Sequence, residues 1–281
     1  MISNAKTMRK RSANVVLYII MIIFSLIWLI PFIAALVTSF RTQADITMNG
    51  FWSWPSVTTF ENYVTAWNRA QVSKFLTNSF LITIPAILFI MLFASLNAYA
   101  LAKHKFRGSF FFYFMFVAGS MLPNQILMLP VFKMSNDFGL YNTHANLIII
   151  HVAWHMAFAT FVLRNFMIST PTEILESARL DGCSEFRIYW QMVLPLVLPG
   201  LAAIATLEFT WVFNDYLWSI ILAQSEAIRP ITAGLAQLRG TFQTNWPVIV
   251  AGAMIATIPT AIVFFGLQKY FIGGLTLGSE K

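Results

Sequence analysis

No charged residue occurs between Lys74 and Lys103, although that stretch contains Pro85. A helix of about 20 apolar residues crosses the hydrocarbon core of a bilayer, and such helices tolerate proline better than soluble ones do. The stretch therefore predicts a membrane-spanning helix. Val15 to Val37 is also uncharged and follows Lys6, Arg9, Lys10 and Arg11. It is longer than the apolar region of a secretory signal, about 7 to 15 residues, and predicts a retained first helix. Composition agrees: 58% of the 281 residues are hydrophobic and 10% charged, where a soluble domain carries roughly 25% charged. The chain reads as an all-α integral membrane protein.

Six spans are predicted, at about 15–37, 76–102, 109–131, 145–163, 196–222 and 247–267. They form a single membrane domain of residues 15–271, between an N-terminal segment 1–14 and a polar tail 272–281. Arg41 to Lys74 shows no sustained apolar periodicity and reads as a sizeable external loop. The third span meets Pro123-Asn124-Gln125 and then Pro130. It either breaks at membrane depth, which requires surrounding protein or a water-filled cavity, or ends at Leu122 ahead of a surface loop. His151 and His155 share a face of the fourth span at i, i+4 spacing. No third ligand lies near them in sequence, so packing or interhelical hydrogen bonds are expected there and no metal site. The fifth span, read as one helix, carries Glu208 and Asp215 two turns apart on a similar side.

Cys183 is the only cysteine, which excludes an internal disulfide framework. The net charge of +7 is scattered between apolar runs and forms no stripe for nucleic acid. It fits lipid topology better: with the amino terminus inside, twelve basic residues fall in inner segments and six in outer ones. Both termini are thereby expected in the cytoplasm.

The same orientation places Thr170 to Pro199, the one long run carrying charge throughout, on the inner side. Thr170 is expected to cap a helix with Pro171 at its first position and Glu173 completing a capping box. Asp181-Gly182 ends that helix, and Ser184 caps a second through Phe186, Ile188, Tyr189 and Val193. Ile174, Leu175, Ala178 and Leu180 provide apolar surface, and Glu173, Glu176 and Arg179 a charged side. Periodicity alone fits a groove-binding helix and a helix lying on the membrane surface equally.

The pattern Glu176-Ser177-Ala178, Gly182, then Leu194-Pro195 resembles the Glu-Ala-Ala loop of membrane-spanning subunits in binding-protein-dependent ABC importers. Ser177 stands at the second motif position and Met192 replaces the usual isoleucine. The resemblance implies a cytoplasmic coupling helix between helices 4 and 5, residues 170–195, with Glu173, Glu176, Ser177, Ala178, Asp181, Gly182, Leu194 and Pro195 docking an ATPase. Met121-x-Pro123-x-Gln125 with Pro130, Gly139-Leu140-Tyr141-Asn142-Thr143, Phe213-Asn214-Asp215 and the Gly274-Leu275-Thr276 ending are similar to maltose-type sugar permeases. That likeness covers nearly the whole chain. It implies a bacterial or archaeal cell membrane, a second homologous permease, two ATP-binding subunits, an extracytoplasmic solute-binding protein and a carbohydrate substrate. ATP and Mg are expected in the partner ATPase, with no cofactor on this chain.

No Gly-x-x-x-x-Gly-Lys-Ser/Thr sequence, nucleophile elbow or convincing metal cluster is present, so the chain is not expected to be an enzyme by itself. Glu208, Trp211, Asn214, Asp215, Asn124 and Gln125 are the candidates for a substrate pathway, since aromatic rings can stack on a sugar while carboxylate and amide oxygens accept its hydroxyl hydrogens. The other reading of Asn214 and Asp215 is that they tie helix five to a neighbour. Two further functions remain open: import of a polyol or other small solute, and ion-coupled secondary transport through Glu208 and Asp215. The topology has a direct test. An impermeant thiol reagent is expected to leave Cys183 unmodified in sealed right-side-out vesicles; modification there overturns the orientation.

Overall fold

The computed structural model describes residues 2–68, 71–237 and 245–276, with side chains described between 14 and 270. Arg69, the outer segment around Arg239, residues 277–281 of the tail and the side chains of its Gly-Leu-Thr ending lie outside them. In chain order the helices are α1 (Ile2–Ser39), α2 (Gln43–Asn49), α3 (Glu61–Asn68), α4 (Val72–Lys103), α5 (Ser109–Ser120), α6 (Asn124–Asp137) and α7 (His144–Ile168). There follow α8 (Thr172–Leu180), α9 (Glu185–Ile188), a π-helical turn (Tyr189–Val193), α10 (Leu194–Leu196), α11 (Leu198–Phe213), α12 (Leu217–Leu222), α13 (Ile231–Gln237) and α14 (Trp246–Thr276). Among the described residues the only β contact is an isolated bridge between Arg41 and Thr58. Asn14–Ser39, Val72–Lys103, His144–Ile168 and Trp246–Tyr270 are long and apolar enough to span. Two bent pairs raise that to as many as six.

The chain divides into two compact units. One, Met1–Ala70 with Leu238–Ile255, contains α1, whose apolar side chains from Val15 to Ile33 are exposed as a lipid-facing helix requires. The loop after it is folded, contrary to the unpatterned reading of Arg41 to Lys74. Arg41 is fully buried. Its Nε donates to Asp45 Oδ2 at 2.6 Å, and Nη1 to the carbonyls of Phe51 and Ser53 at 3.0 Å each. Asp45 also accepts from Ser56 Oγ and Asn49 Nδ2, and the Ser56 hydroxyl, Arg41 and Asn49 together hold its carboxyl far below the usual carboxylate range. Polar side chains satisfying one another, and not an apolar stripe, build this loop, which is why periodicity missed it.

The second unit, Gln71–Gln237 with Ala256–Lys281, is built on α4. Ala86, Ile90, Ala94 and Ala98 recur every four residues on one face and are fully buried, packing with Ala159, Leu163 and Met167 of α7 in one core cluster. α4 runs unbroken through Pro85. At its start Phe75 fills the space over Gly234 of α13, where a Cβ would fall 2.2 Å from the ring.

Of the two readings of the third span, the structure has the broken one: α5 ends at Ser120, and α6 leaves at 99°, because Pro123 holds extended backbone at φ −66°, ψ 129°. Two further expectations are corrected. The fifth span is not continuous over 196–222. It bends by 75° at Val197, ends at Phe213 and restarts as α12 at Leu217, so Glu208 lies in α11 and Asp215 in the break after it. Thr170 does not cap α8; Pro171 holds the cap position and α8 starts at Thr172, with no side-chain cap bond. Thr170 instead gives its carbonyl to Lys103 Nζ at 2.7 Å.

Gly234→Ala is expected to destabilise the detergent-solubilised protein by about 1–3 kcal/mol, the range for overpacking, because Phe75 is only 5% exposed and has no room to withdraw. Thermal unfolding measures it, with Gly266→Ala, whose Cβ would meet nothing within 4 Å, as the control.

Candidate functional site

The charged run folds as two short helices around a tight reversal. Gly182, at φ +81°, donates its N–H to Arg179 O, and Cys183 N–H reaches back to Ala178 O, both at 3.0 Å. This pairing is the Schellman closure of a helix C-terminus, which needs a left-handed residue at that position. Ser184 then accepts from Arg187 N–H and opens α9. Leu175 and Ala178 turn inward onto Leu163, Met167, Ile188 and Tyr189. Glu173, Glu176, Ser177, Asp181 and Gly182 face outward, joined by Ile174 and by Leu180, which is 90% exposed. Of the apolar surface expected on α8, half is therefore buried and half open. Leu194 packs partly into the core, whereas Pro195 is exposed in α10 just before the bend at Val197.

Behind α8 and α9 lies a polar node. Glu185 accepts from Tyr99 Oη at 2.7 Å and from Arg179 Nε at 2.6 Å, with His104 Nε2 at 3.3 Å. Tyr189 Oη meets Ser95 Oγ at 2.7 Å in a buried bond. Sequence reasoning missed Glu185, which lies outside the motif and whose partners are remote in sequence.

A cavity of about 550 Å³ is lined by the end of α5, the start of α6, α7, α11 and the break after it. Of the six pathway candidates, Asn124, Trp211, Asn214 and Asp215 line it. Gln125 does not; it is exposed elsewhere on α6. Glu208 has no exposure and lies behind the wall, with His155 Nδ1 2.7 Å from its Oε2. The two are within ion-pair distance, without a well-directed hydrogen bond to either Glu208 oxygen. His151 Nε2 is 3.9 Å from Asp215 Oδ2. The two histidines thus make interhelical contacts, and among the described residues no group of three or more His, Cys, Asp and Glu is placed to hold a metal ion.

Trp154, Phe158 and Trp218 complete the aromatic wall, with the Phe158 and Trp211 rings edge to face at 5.1 Å. The spacing of His151, Trp154, His155 and Phe158 puts them on one face of α7, a signal open to sequence reasoning that could have found this wall. No Lys or Arg lines the cavity. Asp215 has a second role: Oδ1 and Oδ2 accept from the N–H groups of Trp218 and Ser219 at 3.4 and 3.0 Å, capping α12. Its carbonyl takes the Thr232 hydroxyl of α13.

Residues 86–276 match the family described as binding-protein-dependent transport system inner membrane component. A probable ABC transporter permease protein of Bacillus subtilis is 34% identical over 94% of this chain and 86% of its own length. The arabinooligosaccharides transport system permease protein of Halalkalibacterium halodurans is 31% identical over 98% of this chain and all of its own. Among solved structures, a chain of a bacterial ABC transporter involved in the import of the acidic polysaccharide alginate superimposes with a TM-score of 0.80 at 26% identity, covering 93% of this chain and 97% of that one.

Because Asp215 caps α12, Asp215→Leu is expected to cost about 1 kcal/mol of stability and Asp215→Asn, which retains a capping oxygen, only a few tenths. Unfolding of both solubilised variants measures the difference; equal losses would remove the capping role.

Proposed function

The chain belongs to the family of binding-protein-dependent transport system inner membrane components, and from that premise we propose that it is a permease subunit of an ATP-driven carbohydrate importer. It forms half of the translocation pathway and docks its ATPase through α8. The observation that carries this reading is the Schellman turn at Gly182. It holds Glu173, Glu176, Ser177, Asp181 and Leu180 outward while Leu175 and Ala178 are pinned behind them. A surface with exposed Leu and acid together on one short, back-anchored helix suits a partner's groove.

ATP and Mg bind in the partner subunits on this reading, both termini of this chain face the cytoplasm, and an extracytoplasmic binding protein delivers the solute. A second, homologous permease completes the pathway. The wall of Trp154, Trp211 and Phe158 beside Asn124 and Asn214 supports a sugar as the solute, since flat aromatic rings stack on pyranose faces and amides exchange hydrogen bonds with hydroxyls. Closure of the ATPases displaces α8, and the pathway changes the side to which it opens; each ligand acts by preferring one state.

Gly182→Val isolates the turn from packing, because a Cβ there meets nothing within 4 Å. The cost is conformational, about 1–2 kcal/mol for a left-handed non-glycine residue, and larger for a β-branched one. The variant is expected to insert and assemble but to lose ATP-driven uptake, and Glu176→Lys to do the same by reversing the charge of the docking face. Wild-type uptake and ATPase stimulation in either variant at normal abundance removes that residue from docking.

A further inference from the structure

Ser95, Tyr99 and Lys103 follow one another at four-residue intervals and so share one face of α4. All three are bonded to the coupling segment: Ser95 to Tyr189 Oη, Tyr99 to Glu185, and Lys103 to the carbonyl of Thr170 just ahead of α8. His104, at the end of the helix, adds a contact with Glu185. Glu185 is itself fastened to α8 through both Nε and Nη2 of Arg179. The coupling segment is therefore joined to α4 by hydrogen bonds both before and after the Gly182 turn.

The opposite end of α4 carries a second polar anchor. Asn78 Nδ2 donates to the carbonyl of Arg229 at 3.0 Å, and its Oδ1 lies 3.1 Å from His144 Nε2. Ser79 Oγ accepts from Ile231 N–H at 2.9 Å, where α13 begins. From Asn78 to Tyr99 is roughly 32 Å at 1.5 Å per residue, about the thickness of a bilayer's hydrocarbon core. Between the anchors the buried face of α4 is apolar apart from Thr83 and Ser95.

From this geometry we infer that α4 is the rod that carries displacement of the coupling segment to the far end of the protein, with Tyr99 and Glu185 as positioning residues at its driven end. The inference rests on the docking reading of α8 and goes beyond it by naming the helix that α8 moves. α7 and α11, which flank the segment in sequence, are joined to it through the chain. α4 is joined to it by side chains alone, and these can be cut one at a time. Tyr99→Phe keeps the ring packed against Tyr189, at 5.4 Å between centroids, and removes only the hydroxyl. Glu185→Gln keeps the size and removes the charge that Arg179 and Tyr99 hold.

The test uses the complete complex, co-purified with its ATPase and partner permease. In a Cys183→Ser background, nitroxide labels are placed at Leu88→Cys on α4 and Arg187→Cys on α9, both exposed positions. Their separation is measured by electron–electron resonance with and without MgATP and vanadate. The expected result is one unchanged separation in the chain carrying only the labels, and a shift of several ångströms on nucleotide trapping in Tyr99→Phe and in Glu185→Gln. ATP hydrolysis by each variant serves as the check that it is folded and docked. A separation that already shifts without either substitution, or one that stays fixed in both variants, overturns the rod. A complex in which the chain recruits no ATPase, even without substitutions, overturns the docking reading instead.

Discussion

The packing of α4 against α7 is the constraint on which the second unit rests. In lipid, tails are as apolar as leucine, so close van der Waals fit holds helices together and favours small residues at the contact. Ala86, Ala94 and Ala98 on α4 and Ala159 on α7 have no exposure and let the backbones approach. The segment of α8, α9 and the π-helical turn adds Leu175, Ile188 and Val193 to the same cluster, so the exposed face of α8 is supported by an extension of this contact. The Gly234 and Phe75 fit at the other end of α4 follows the same rule.

Several of the buried polar groups hold segments without spanning length. Arg41 fastens the loop after α1 by satisfying its guanidinium with a carboxylate, a hydroxyl and three carbonyls. Asn78, Ser79, Tyr99 and Lys103 do the same for the segments at the two ends of α4. A buried polar group without a partner costs far more than its bond contributes, so each contact fixes one arrangement of its segment with little tolerance for others.

The cavity has a different logic. Helix α11 stops at Phe213, and Asp215 starts α12 by capping it, so irregular backbone is placed beside a space that can hold water or solute. Non-helical backbone at membrane depth is tolerated where it lines such a space. Aromatic side chains from α7, α11 and α12 form the rest of the wall, and Glu208 lies behind it within ion-pair distance of His155.

The sequence by itself determined the class of protein and much of its order. Long uncharged runs fixed α1, α4, α7 and α14, because spanning requires continuous apolar length and that is a one-dimensional property. Gly182 and Ser184 marked the turn after α8 and the cap of α9, since left-handed backbone and N-capping are local demands. Pro123 marked a candidate break in the third span, but its 99° angle, the bend at Val197, the break at Asn214, the Arg41 loop and the contacts of Glu185 were decided only in three dimensions. Proline in a membrane helix is compatible with either a straight path, as at Pro85, or a sharp bend, as at Pro123, and the neighbouring helices choose. Glu185 and Tyr99 stand 86 residues apart; nothing local in the chain records that the fold brings them together.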